Sequence, residues 1–168
     1  MEKSIIYLGV KMKKAALHNL GCKVNAYETE AMQQMLEAAG YEIVPFNEPA
    51  DVYVVNTCSV TNMADRKSRQ MLHKAKKNNP DSIVVATGCY VQTSEQEALE
   101  DLSIDIVIGN NRKHELVSLI EEFAKDNVLD INHEKQEFEE LFVSQTAEHT
   151  RAFIKVQDGC NQFCSYCI

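Results

Sequence analysis

The chain has 168 residues, near the size of one domain with a piece of a second at about 150 residues per domain. Hydrophobic residues make up 45% and charged residues 25%, the balance of a soluble globular protein, and no apolar run approaches the roughly 20 residues that cross a bilayer. Seventeen Lys and Arg against 25 Asp and Glu leave a formal charge of −8, so the chain as a whole is not a basic nucleic-acid clamp, and any RNA contact is local or lies outside it.

Residues 1–11 read as a disordered extension, with Met12 as the natural start. Their short apolar patch precedes its lysines, the wrong order for a secretory signal, so a reducing cytoplasm is the expected location. From residue 14 to about 124, short β-branched runs alternate with longer amphipathic ones, the pattern of βαβ units in an α/β fold with a doubly wound open parallel sheet. The first strand falls at 15–19. The first helix follows at 26–39, with Met32, Met35, Leu36 and Ala39 on one face and Gly40 as a stop. Strands at 42–44 and 52–56 come next, then a helix at 63–78 opened by Asn62 and stopped before Pro80. After a strand at 83–87, a third helix is expected to open at Thr93 or Ser94, closed into a capping box by Gln96 or Glu97. The last strand covers 106–108 and the last helix 114–124, where Leu116, Val117, Leu119, Ile120 and Phe123 form an apolar stripe. Eight acidic residues between Glu121 and Glu140 face only Lys125 and Lys135, so 125–150 reads as an acidic linker before a strand at 152–156 that begins a second domain.

Each of Cys22, Cys58 and Cys89 follows an expected strand, although 36 and 31 residues separate them. In an open parallel sheet the loops leaving the carboxyl ends of the strands line one crevice, so the three thiols can meet. Helix amino ends after Cys58 and Cys89 are expected to lower thiol pKa and favour the metal-binding thiolate. Each Cys taken alone reads equally as a small buried hydrophobe, and a nucleophile is weakly supported because no partner His is evident. Cys160, Cys164 and Cys167 crowd into eight residues. Three thiolates this close suit three irons of a cubane with the fourth left open; zinc would need a further ligand such as His149, and a disulfide suits a reducing compartment least.

The segments Leu20-Gly21-Cys22-Lys23-Val24-Asn25, Tyr27-Glu28-Thr29-Glu30, Asn56-Thr57-Cys58-Ser59-Val60-Thr61, Thr87-Gly88-Cys89-Tyr90 and the Cys160 to Cys167 triplet resemble the radical S-adenosylmethionine (SAM) methylthiotransferases. The Lys-Val-Asn and Tyr-Glu-Thr-Glu wording is most similar to the branch that converts tRNA threonylcarbamoyladenosine beside the anticodon to its 2-methylthio derivative. The resemblance implies that Cys22, Cys58 and Cys89 hold an auxiliary [4Fe-4S] cluster that provides sulfur. It implies that Cys160, Cys164 and Cys167 hold a second [4Fe-4S] cluster, whose open iron binds SAM and whose electron cleaves it to a 5′-deoxyadenosyl radical. No catalytic residue separate from the cluster ligands is implied. Phe163 and Tyr166 would shield the second cluster or simply pack.

The implied organisation is a methylthiotransferase amino-terminal domain at 12–124 and, at 151–168, the first strand and cluster loop of a truncated radical SAM (β/α) barrel. The chain is then expected to be a fragment, inactive alone. The implied partners are the tRNA anticodon arm, met mainly through the missing carboxyl-terminal region, and an electron donor such as flavodoxin or ferredoxin, with no membrane. Arg66, Lys67, Arg69, Lys74, Lys76 and Lys77 form a basic stretch that either steers tRNA or is a solvated helix face. Competing readings are an iron-sulfur electron carrier or redox sensor, a methylthiotransferase for isopentenyladenosine tRNA or a ribosomal protein, and a nucleotide-binding domain, which lacks the glycine-rich turn.

Overall fold

A run such as Val52-Tyr53-Val54-Val55 is apolar on both faces of a strand and is stable only where helices cover both sides. A computed structural model of the chain, which describes residues 12–59, 61–126, 141 and 143, places that run at the centre of a five-stranded parallel sheet. The strands are β1 (Lys14–Asn19), β2 (Glu42–Ile43), β3 (Val52–Thr57), β4 (Ile83–Gly88) and β5 (Ile106–Ile108), in the spatial order β2-β1-β3-β4-β5. The helices are α1 (Lys23–Ala38), α2 (Asn62–Asn78), α3 (Cys89–Thr93), α4 (Glu95–Glu100) and α5 (Leu116–Asp126), the last preceded by a 3-10 turn over Lys113–Glu115.

Alternation along the strands sends side chains to two cores. Val52, Val54, Val85 and Ile106 pack against Met32 and Leu36 of α1 and against Leu116 and Ile120 of α5. Tyr53, Val55, Val84 and Ala86 pack on the other face against Leu72 of α2 and Tyr90 of α3. The sheet is therefore doubly wound, and its strand order reverses direction between β1 and β3, the position at which open α/β sheets form their ligand crevice. Helix α1 ends at Gly40, whose N–H reaches Glu37 O at 3.0 Å while the Tyr41 N–H reaches Leu36 O at 3.0 Å, both carbonyls of the last turn being satisfied.

Several boundaries differ from the sequence reading. Helix α1 begins three residues early, at Lys23, and Ala39 is exposed at its end. Thr61, not Asn62, caps α2, its hydroxyl accepting from the Ala64 N–H at 3.1 Å. The expected capping box at residues 93–97 does not form. A short helix already starts at Cys89, Thr93 spends its hydroxyl on Cys89 O (3.1 Å) within it, and Ser94 makes no side-chain cap. Leu141, in the stretch read as a linker, is buried and its carbonyl accepts from Tyr27 OH at 2.7 Å. The expected strand at 152–156 and the loop at 160–167 lie outside the described residues.

Leu36 is fully buried where α1 crosses the sheet. Replacing it with Ala is expected to lower the unfolding free energy by about 2–5 kcal/mol, measured by urea denaturation.

Candidate metal centre

The pairing register sets the functional edge. Asn19 of β1 stands opposite Asn56 of β3, and Asn56 opposite Thr87 of β4, so three neighbouring strands end level. Cys58 and Cys89 each follow that row by two residues and Cys22 by three. Neighbouring strands lie about 4.8 Å apart, so the three loops leave the sheet within a span of roughly 10 Å.

Two glycines draw the loops closer. A Cβ on Gly21 would lie 3.0 Å from Cys58 Sγ, which places the Cys22 loop directly against Cys58. Gly88 has φ +97°, and a Cβ there would stand 2.4 Å from Thr57 O and 2.5 Å from Asn56 Oδ1. Only glycine lets the turn before Cys89 close on the residues before Cys58. Among the three thiols, Cys22 is exposed, Cys58 buried and Cys89 between, and all are free. The reading of Cys22 as a small buried hydrophobe is therefore not met.

Burial pushes the Cys89 thiol above its ordinary range, and Cys58 and Cys22 push it further, against the opposing pull of Lys113. This reverses the expectation of a lowered pKa. Helix α3 is only five residues long, and the cost of placing a thiolate in a half-buried site beside two other thiols outweighs its amino end. Helix α2 starts four residues beyond Cys58, at Asn62.

Behind the thiols lies a polar layer to which the sequence reading assigned no role. Cys22 Sγ donates to Asn25 Oδ1 at 3.1 Å, and Asn25 Nδ2 donates to Asn56 Oδ1 at 3.2 Å and to Thr57 O at 2.9 Å. Asn56 Nδ2 returns a bond to Asn25 O at 3.0 Å. Asn25 and Asn56 thus lock the first helix to the end of β3 and hold Cys22 and Cys58 to one frame. Ser68 of α2 clasps Cys58 through both backbone groups, accepting from its N–H at 3.3 Å and donating to its carbonyl at 3.1 Å. Glu28 and Lys113 form a buried ion pair at 2.8 Å. The available signal was a polar pair, Asn56-Thr57, ending a strand that is otherwise apolar; Lys113 carried none, because its partner is 85 positions away.

Among the described residues, no group of three or more His, Cys, Asp and Glu side chains is arranged to hold a metal ion. The donor set at the edge is three thiols. Cys160, Cys164 and Cys167, with His149, Phe163 and Tyr166, lie outside the described residues. Half of the basic stretch is committed elsewhere. Arg69 pairs with Glu97 at 3.2 Å, Lys76 with Asp105 at 2.7 Å, and Lys74 donates to Asn47 Oδ1 at 2.6 Å. At 1.5 Å per residue, Lys74, Lys76 and Lys77 sit roughly 20 Å along α2 from its start, so only Arg66 and Lys67 lie near the thiol edge.

Gly88→Ala is expected to cost roughly 2–5 kcal/mol from strain and overpacking together, whereas Gly109→Ala, with open space around it, is expected to be near neutral; paired thermal and urea melts check this. In the metal-free chain, alkylation of Cys89 by iodoacetamide is expected to accelerate at a higher pH than for a small-molecule thiol. Replacing Cys22 and Cys58 with Ser should move that midpoint down, read by mass spectrometry.

Comparison with known proteins comes to the same edge. The model of the family described as "Uncharacterized protein family UPF0004" matches residues 14–109, which include all three edge cysteines. A Bacillus subtilis (strain 168) protein named threonylcarbamoyladenosine tRNA methylthiotransferase MtaB is 44% identical over 161 residues, covering 94% of this chain and 36% of its own length. Its namesake from Aquifex aeolicus (strain VF5) is 42% identical over 159 residues, 92% of this chain and 39% of its own. An Enterobacter sp. (strain 638) protein named tRNA-2-methylthio-N(6)-dimethylallyladenosine synthase is 33% identical over 164 residues, 93% and 34% respectively. The chain thus spans between a third and two-fifths of the length of these curated relatives. Among the described residues, no helix is long and apolar enough to cross a membrane.

Proposed function

The chain belongs to the UPF0004 family, and on that premise we propose that it provides the auxiliary-cluster domain of a tRNA methylthiotransferase acting on threonylcarbamoyladenosine beside the anticodon. The observation that carries this reading is the level ending of β1, β3 and β4, which brings three free thiols to one edge at the β1/β3 reversal. The choice of nucleoside rests on the relatives, 44% and 42% identical to proteins named for threonylcarbamoyladenosine against 33% to one named for dimethylallyladenosine.

Cys22, Cys58 and Cys89 would hold an auxiliary [4Fe-4S] cluster, and Cys160, Cys164 and Cys167 a second that binds SAM. A lone zinc ion gathers its thiolates to about 2.3 Å from one point, whereas a cubane takes one thiolate at each corner iron, so three loops on adjacent strands suit the cube better. Held by those residues, the auxiliary cluster would supply sulfur and the second cluster would supply radical chemistry toward the adenine C–H bond.

The protein's own groups prepare the site. Asn25 accepts from the Cys22 thiol and fixes its direction, Ser68 fixes the backbone at Cys58, and Cys58 itself is buried. The raised Cys89 pKa keeps that thiol protonated in the empty chain, so iron uptake releases its proton and is favoured as pH rises. Arg66 and Lys67, on the first turns of α2, are the cations placed to meet RNA phosphates at this edge. The domain division at 12–124, 125–150 and 151–168 belongs to the same proposal, as does an electron donor such as flavodoxin or ferredoxin.

Anaerobic reconstitution with iron and sulfide tests the reading. About eight irons per chain are expected for two cubanes, falling to about four in a Cys22, Cys58, Cys89 triple Ala variant. Bound zinc without iron, or iron content unchanged in that variant, would overturn it.

A further inference from the structure

Two of the thiol-bearing helices are joined by a hydrogen-bonded chain, buried at Lys113 and Glu28 and exposed at Gln92, that no step above uses. Lys113, 1% exposed, donates to Glu28 Oε2 at 2.8 Å and to Asn110 Oδ1 at 3.0 Å. Asn110 Nδ2 in turn donates to Gln92 Oε1. Gln92 lies three residues after Cys89 on α3. Glu28 lies on α1, six residues after Cys22 and three after Asn25, the acceptor of the Cys22 thiol. The chain therefore runs from the helix of Cys89, through the β5 loop and the 3-10 turn, to the helix of Cys22. Asn25 and Asn56 tie Cys22 to Cys58 from the other side.

A buried ion pair is weak evidence for stability, since well-packed apolar side chains of similar volume commonly serve as well or better. What an apolar pair does not provide is a fixed positive charge beside the thiols. Both Lys113 and Glu28 are felt at Cys89, with opposite signs. Thr87, in the level row and fully buried, also has a hydroxyl without a partner among the described residues.

We propose that Lys113 is a positioning residue: held by Glu28 and Asn110, it spans the helices of Cys22 and Cys89 and presents a fixed ammonium charge that stabilises an anionic thiolate-bound group at this edge. Glu28 serves as the counter-charge that keeps Lys113 in place. The inference rests on the reading that Cys22, Cys58 and Cys89 hold an iron-sulfur cluster. It adds that the reduced, more negative state of that cluster is favoured by Lys113 and disfavoured by Glu28.

The test uses the whole chain with Cys160, Cys164 and Cys167 replaced by Ala, reconstituted anaerobically, with iron content, thermal melting and cluster midpoint potential measured together. Lys113→Met is expected to shift the potential more negative, Glu28→Gln more positive, and the double variant to fall between, while Lys113→Arg keeps the parent value. Opposite shifts are the signature, because a loss of packing alone would not change sign with the charge removed. Should Lys113→Met fail to fold, Glu28→Gln and Lys113→Arg still decide: a positive shift in the first with no shift in the second supports the proposal, and any other pairing overturns it. Iron bound at parent levels with a potential indifferent to both charges overturns the role of Lys113 alone. A parent chain that binds no iron overturns the reading of the site and this inference with it.

Discussion

The placement of the three thiol loops depends on one constraint, the level ending of three parallel strands. Asn19, Asn56 and Thr87 are paired in a row, and the cysteines follow at nearly equal distances along the chain. Side chains alternate between faces, so slipping β3 by one residue would send Tyr53 to the α1 side and the Val52 and Val54 set to the α2 side. Two separate cores therefore hold the register. The position of Cys58 relative to Cys22 and Cys89 is a consequence of apolar packing far from any thiol.

Much of this was legible because buried parallel strands leave a strong mark. The five strands emerge from short β-branched runs separated by amphipathic ones, and each lies within one or two residues of its expected place. The shared edge of the three loops is a consequence of the parallel topology. The helix starts were less legible, since capping is decided by one hydroxyl: Thr61 and Asn62 are both suitable caps, and the backbone chose Thr61. At residues 89–94 local preference lost to tertiary closure. Gly88 turns the chain hard against Thr57 and a short helix starts at once at Cys89; α4 still opens at Ser94, where the sequence places a helix start, but without a side-chain cap.

Charge was read least well, because sequence records sign but not partner. The basic stretch on α2 looks continuous along the chain, yet a helix distributes it around its circumference and over some 20 Å of length. Lys76 reaches the amino edge of the sheet, where Asp105 accepts from it at 2.7 Å and also accepts from the Val84 N–H at 2.7 Å. Its work there is to fasten α2 to the start of β4. Arg69 and His73 are engaged by Glu97 and Asp101 across the α2–α4 side. In this basic run of a chain of net charge −8, Arg69 and Lys76 are neutralised in place, and Arg66 and Lys67 are the members that sit on the first turns of α2.

The same contrast between sign and partner applies at the thiol edge. Three ionised thiols in one half-buried space would repel, and the chain avoids that cost by keeping Cys89 in its neutral form. The surrounding groups are nevertheless placed for the ionised state: Lys113 is fixed within the edge's field, and the Cys22 thiol is already aimed at Asn25. Glycine at 21 and 88 removes the side chains that would fill the space between loops. Under the proposed reading such an edge would serve two charge states, one of thiols and one of cluster-bound thiolates. The buried pair of Glu28 and Lys113 suits both, because it is neutral as a unit yet presents its positive end as a separate, fixed charge.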